Sequence, residues 1–234
     1  MADLERFKGV KAVIADWDDT KVNTRPKIVE IVDNFADILE VERPGESGLL
    51  EFWGQSVEEI IHGLFGRHRP QLSSREILDQ YIASVPTDYC PYPINGVEQA
   101  VLRLQTMGYI QGVISSGSRN DILRAIQLHY PALDGVYVFI HGRQDTPKRK
   151  PHPEVFDLAF NDHLYPMGIT EAQTVYVGDF HGDFDAAQAR GLLFLGIVDN
   201  EKAKDWFLKR GLDEQLMFSS FTQVPDFFER IQNS

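Results

Sequence analysis

Residues 13–24 read VIADWDDTKVNT, and three carboxylates, Asp16, Asp18 and Asp19, fall within four positions directly after an apolar run. Like charges this close repel, and a dry setting strengthens the repulsion. They are either solvated turn residues or the acidic half of a site that a positive species completes. Three further clusters carry complementary chemistry. Ser115-Ser116-Gly117-Ser118 follows the run GVI, and a small hydroxylated turn of this kind exposes backbone N–H groups that suit an anion. Lys150 precedes Pro-His-Pro, and Asp179 and Asp183 follow the run TVYV. Each cluster alone has a plainer reading, because Asp and Ser after strands cap helices and form turns. A lone Lys is commonly a solvated charge. Two alternate carboxylates at one strand end, Asp16 and Asp18, are harder to assign to a turn.

The elements that must position these residues are short apolar runs separated by helical patterns. AVIA (12–15), YIQGVI (109–114), VYVFI (136–140), TVYV (174–177) and LLFLGIV (192–198) read as buried parallel strands. Between them, GVEQAVLRLQTMGY places Val97, Val101 and Leu104 on one helical face, with Gly108 set to end the helix. ILRAIQLHY, PEVFDLAF and DFDAAQARG supply further helices, the last ending at Gly191. The alternation predicts an α/β fold, a Rossmann-like parallel sheet core flanked by helices. Residues 21–90 break it with three helical stretches, IVEIVDNFADIL, LLEFWGQSVEEIIHGLF and SSREILDQYIASV. The expected organisation is a core domain of residues 1–20 and 91–234, with a helical cap domain over residues 21–90. Such an insert would lie over the carboxyl edge of the sheet, where open α/β sheets bind ligands.

Composition limits the partners. The chain has 234 residues, 43% of them hydrophobic, and a formal net charge of −12, which argues against nucleic acid and against an anionic membrane surface. An anionic substrate must then be met by a local positive centre. Cys90 is the only cysteine, so no intrachain disulfide is possible and a reducing compartment fits. No apolar run reaches membrane-spanning length and no secretory pattern opens the chain, so a cytoplasmic location is expected. Oligomeric state is not readable from the pattern.

Taken in order, the four clusters resemble the haloacid dehalogenase superfamily, in its phosphatase and phosphomutase branch. Asp16-Trp17-Asp18-Asp19-Thr20 matches that family's Asp-x-Asp-x-Thr after a strand, and Ser115 its second-motif hydroxyl. Lys150-Pro151-His152-Pro153 matches its Lys motif, and Gly178, Asp179 and Asp183 its Gly-Asp-x-x-x-Asp. The helical insert looks like the family's first-type cap. Trp17 and Asp19 stand where Phe and Gly are frequent, departures that leave the chemistry intact.

The resemblance implies a Mg²⁺-dependent phosphatase acting on a small phosphorylated metabolite through an aspartyl-phosphate. A hard divalent cation takes oxygen ligands in octahedral geometry. Asp16 and Asp179 would bind it by side chain, Asp18 through its backbone carbonyl, and Asp183 through water or as an outer anchor. Asp16 would attack phosphorus, and Asp18 would act as general acid and then general base. Ser115, with the N–H of Ser116 or Gly117, and Lys150 would hold the phosphoryl group. His181, inside the fourth motif, reads as a loop residue more readily than as a ligand.

Within the family, Asp18 argues against carbon–halogen hydrolysis. No Lys occurs between Lys27 and Lys148, which argues against a Schiff-base lysine from the body of the insert. FWGQSVEEIIHGLF resembles the cap loop of the phosphatase and mutase branch, but Trp53 and Val57 stand where a mutase of the beta-phosphoglucomutase type would carry Lys and Arg. Trp53, Gln55, Arg67 and Arg69 are the candidates for reading the leaving group. A phosphomutase and a catalytically silent binding protein on the same fold are the alternatives.

Overall fold

The computed structural model describes residues 4–52 and 57–233, and the chain divides into two compact units: Met1–Val22 with Pro93–Ser234, and Asn23–Tyr92. In chain order the elements are β1 (Ala12–Ala15), β2 (Val22–Asn23), α1 (Thr24–Ile38), α2 (Gly45–Glu51), α3 (Val57–Phe65), α4 (Ser74–Ser84), β3 (Tyr92–Pro93), α5 (Val97–Thr106) and β4 (Ile110–Ile114). There follow α6 (Arg119–His129), β5 (Phe139–His141), a short α7 (Asp157–Ala159), β6 (Thr174–Gly178), α8 (His181–Arg190), β7 (Leu193–Ile197), α9 (Glu201–Lys209), β8 (Met217–Phe218) and α10 (Val224–Gln232).

The first unit is built on a six-stranded sheet in the order β5-β4-β1-β6-β7-β8 with every pairing parallel. All four residues of β1 are buried, as a strand covered by helices on both faces requires. β1 pairs β4 through Ala15↔Val113 and β6 through Ala15↔Val177, so β4 and β6 each run one residue past the end of β1. The Asp16 N–H continues the ladder onto the Val177 carbonyl at 2.8 Å, and the Ser115 N–H onto the His141 carbonyl at 3.0 Å. These bonds fix where the residues just past each strand begin. β1 lies where successive connections turn to opposite sides of the sheet, the place where open α/β sheets gather ligands. Gly108 and Gly191 close α5 and α8 in the left-handed conformation, with φ of 88° and 82°, which a residue without Cβ adopts at little cost.

The expected run PEVFDLAF does not form one regular helix. It is a 3₁₀ turn at Pro153–Phe156, α7, and a π-helical turn at Phe160–Leu164. The third strand begins later than its apolar run suggested, at Phe139, because the Val136 N–H closes a turn onto Leu133. β2 and β3, the residues at the boundary between the two units, form a two-stranded sheet of their own.

The unit Asn23–Tyr92 is helical and has its own apolar core. Ile31, Val32, Phe35 and Ala36 of α1 share one buried face with Leu49, Ile61, Phe65, Ile77 and Tyr81. Phe35 meets Phe65 and Tyr81 edge-on, with ring centres 5.1 and 5.5 Å apart, a geometry that aromatic quadrupoles favour. Pro26 falls in the first turn of α1, where its missing N–H has no intrahelical partner to lose. Ser73 and Glu76 cap α4 reciprocally: the Ser73 N–H donates to Glu76 Oε2 at 2.8 Å and the Glu76 N–H to Ser73 Oγ. The single stretch read over residues 49–65 is divided between α2 and α3.

Candidate active site

At the carboxyl end of β1 the chain turns sharply. The Lys21 and Val22 N–H groups both return to the Trp17 carbonyl, and Asp19 takes a positive φ of 51°. Asp tolerates this region better than most residues, though at a cost. Asp16 and Asp18, two apart in this segment, are thereby held close together while Trp17 goes into the core at 2% exposure. Asp18 receives a hydrogen bond on Oδ2 from the Ser115 hydroxyl at 2.9 Å. The Gly117 N–H donates to Ser115 Oγ at 2.8 Å, so this turn N–H is directed onto the serine. Gly117 is needed there: a Cβ on it would stand 2.8 Å from Asp18 Oδ2.

From the other side of β1, Asp179 follows β6 and Asp183 lies in the first turn of α8. Carboxylate oxygens of Asp16, Asp179 and Asp183 all lie within 4.8 Å of one another. Lys150 enters this cluster from the segment after β5. Its ammonium stands 2.8 Å from Asp16 Oδ1 and 2.6 Å from Asp183 Oδ1, with its side chain 7% exposed. The second Asp183 oxygen accepts from the Phe180 N–H at 3.0 Å, and Asp179 Oδ1 accepts from the Thr20 hydroxyl at 3.0 Å.

Three carboxylates and one ammonium leave an excess of negative charge in a nearly dry pocket. Burial, opposed by Lys150 and reinforced by Asp183 and Asp18, pushes the Asp16 carboxyl up to about 7. Burial, with the charges of Asp183, Asp16 and Asp19, pushes Asp179 well above the ordinary carboxylate range. Burial works against the Lys150 charge, but Asp16 and Asp183 outweigh it and keep the ammonium protonated. An all-oxygen donor set with uncompensated charge fits a hard divalent cation such as Mg²⁺. The residues present therefore suit the ion that the sequence pattern implies.

The structure thus brings together Asp16, Asp18, Ser115, Gly117, Lys150, Asp179 and Asp183, all from the first unit. Ser116 is exposed at the turn. His181 opens α8 instead of lying in a loop, packs its ring on Phe180 and Trp206, and takes no part in the carboxylate cluster. Trp53 and Gln55 lie outside the described residues. Arg67 is exposed with its Nε donating to His68 Nε2 at 3.0 Å. Arg69 spends its guanidinium on the carbonyls of Leu39 and His68, at 2.7 and 3.0 Å. Two contributors escaped the sequence reading: Thr20, whose place in the motif was visible but whose bond to Asp179 was not, and Tyr176, hidden inside an apolar strand.

The profile of the haloacid dehalogenase-like hydrolases matches residues 13–197. The phosphoglycolate phosphatase of Neisseria meningitidis is 25% identical over 197 residues, covering 81% of this chain and 80% of its own length. That of Yersinia pestis is 26% identical over 202 residues, covering 83% and 84%. Among solved structures, a haloacid dehalogenase-like hydrolase of Bacteroides fragilis superposes with a TM-score of 0.74 at 21% identity, covering 92% of this chain and 99% of its own. A beta-phosphoglucomutase-like protein of Thermotoga maritima gives 0.74 at 16% identity, covering 94% and 99%. At that identity the likeness speaks for the fold alone.

Proposed function

We infer the reaction from one premise: the chain belongs to the haloacid dehalogenase-like hydrolase family and is a phosphoric monoester hydrolase. Asp16 is the nucleophile and Asp18 the general acid and base. The observation that carries this reading is the paired placement of the two carboxylates. Asp16 is bound to Lys150 and clustered with Asp179 and Asp183, while Asp18, on the same turn, is bound to Ser115 instead. One carboxylate lies against the lysine charge, and the other accepts from the Ser115 hydroxyl.

An Asp16 oxygen attacks phosphorus in line as the bond to the leaving oxygen breaks, and Asp18 gives that oxygen its proton. Asp18, now a carboxylate, takes a proton from water. The water oxygen attacks phosphorus, releasing inorganic phosphate and restoring Asp16. Lys150 and Ser115 hold the phosphoryl oxygens throughout. Mg²⁺ held by Asp16, Asp179 and the Asp18 carbonyl, with Asp183 behind, would offset the charge of the phosphate and the carboxylates.

The substrate is a small phosphorylated metabolite, and phosphoglycolate is the first compound to test because the curated relatives carry that name. Hydrolysis is favoured over a phosphomutase reaction because the mutase must hold a second phosphate. Among the described residues of the helical unit, Arg69 is committed to backbone carbonyls and Lys27 to Glu30.

The test is phosphate release from a panel of phosphomonoesters, phosphoglycolate and hexose phosphates included, with Mg²⁺ and with excess chelator. Metal-dependent release, abolished in Asp16→Asn, is expected. Ordinary turnover by Asp16→Asn, or conversion of a hexose 1-phosphate to the 6-phosphate without phosphate release, would overturn the proposal.

A further inference from the structure

Strand β6 carries a hydroxyl into the site from beneath. Tyr176 is fully buried, its ring edge-on to Phe156 with centres 5.0 Å apart. Its hydroxyl donates to the Ile114 carbonyl at 2.8 Å and accepts from Lys150 Nζ at 3.1 Å. The direction of this chain is forced. A lysine ammonium only donates and a carbonyl only accepts, so the tyrosine must accept from one and donate to the other.

The consequence for Lys150 is geometric. An ammonium has three N–H groups; here Nζ donates to Tyr176 Oη and stands at ion-pair distance from Asp16 Oδ1 and Asp183 Oδ1. Two carboxylate contacts alone leave a long, flexible side chain free to pivot about the line joining them. The third contact removes that freedom. It also ties the lysine, which arrives from the segment after β5, to Ile114, the last residue of β4 and the one before Ser115. A single buried hydroxyl thus couples the positions of the two groups that would hold the phosphoryl oxygens.

We propose that Tyr176 is a positioning residue whose hydroxyl fixes the Lys150 ammonium at the junction of Asp16 and Asp183 and registers it with the Ser115 turn. The assignment rests on the reading of Lys150 given above. Tyr176→Phe keeps the ring and its packing and removes only the hydroxyl.

The experiment is a double-mutant cycle with Lys150→Met, measuring kcat and KM separately, with thermal melts as a check on folding. Tyr176→Phe is expected to lower kcat by about tenfold to a hundredfold with little change in KM, the size of effect seen when a group that orients a functional side chain is removed. In the Lys150→Met background the same substitution should change kcat by less than about twofold, because residues acting through one another are not additive. Where Lys150→Met turns over too slowly, the cycle is read on the affinity for inorganic phosphate in the presence of Mg²⁺ by calorimetry. Full kcat in Tyr176→Phe, or an equal loss in both backgrounds, overturns the role of Tyr176. Wild-type turnover by Lys150→Met overturns the reading of Lys150 itself, a separate result.

Discussion

Replacing Lys21 with methionine should stabilise the protein at neutral pH and flatten its stability against pH. Lys21 is 1% exposed. Its ammonium lies 3.0 Å from the Tyr137 hydroxyl and 4.4 and 4.7 Å from the ring centres of Tyr137 and Phe221. No carboxylate pairs with it among the described residues. Burial, only partly opposed by the charge of Asp16, brings its pKa down from 10.5 to about 7. At 1.36 kcal/mol per unit, that depression costs the fold about 5 kcal/mol below pH 7. Between about 7 and 10.5 the unfolded chain holds a proton that the folded one has released, so stability rises with pH across that window. Most of that cost is recovered between about pH 7 and about pH 10. The two aromatic faces return about 1–2 kcal/mol each to the desolvated cation, which leaves a net gain of about 1–3 kcal/mol for Lys21→Met near pH 7. Urea unfolding of both proteins at pH 7 and pH 10, followed by tryptophan fluorescence, reads the effect. The advantage of the variant should be present at pH 7 and gone or reversed at pH 10. Parallel stability profiles for the two proteins would refute the reasoning, since they would mean that Lys21 titrates alike in the folded and unfolded chains.

Three further outcomes are expected. Asp19→Gly relieves a positive φ of 51° and removes one carboxylate charge felt by Asp179, and should raise unfolding stability by about 1 kcal/mol in denaturant titration. Gly178→Ala places a Cβ 2.5 Å from Asp183 Oδ2; shifting that carboxylate away from Lys150 should cost about a hundredfold in kcat at saturating substrate. Phe35→Ala empties the centre of the helical unit, where Phe65 and Tyr81 meet it, and should cost about 3–5 kcal/mol, seen as lost amide protection in α1 by hydrogen exchange.

The strands around the site were legible because a strand buried on both faces is a short, largely apolar run, as AVIA, TVYV and LLFLGIV are. β8 is two residues long, too short to show any period. Residues 153–164 keep helical spacing yet cross three hydrogen-bonding patterns, which apolar spacing alone does not separate. Within the site, Asp16, Asp18, Ser115 and Asp179 announced themselves by polarity just past strands, and Lys150 and Asp183 by their place in the ordered set of clusters. Tyr176 did not, because in TVYV its ring is one more apolar member and its hydroxyl meets Ile114 and Lys150 only once the strands are paired. Lys21 was invisible for the opposite reason: a lysine just past an acidic turn looks solvated, and its burial depends on Tyr137 and Phe221, which are far away in the chain.

Every group assembled around Lys150 comes from the sheet-bearing unit, and the helical unit leaves and returns through β2 and β3, residues that are paired with each other. In polymer terms the insert is a loop whose ends are already closed, so changing its length or sequence adds little closure entropy to the folding of the sheet. Such a chain can alter residues 23–92 over evolutionary time while the carboxylates and their lysine keep the same neighbours.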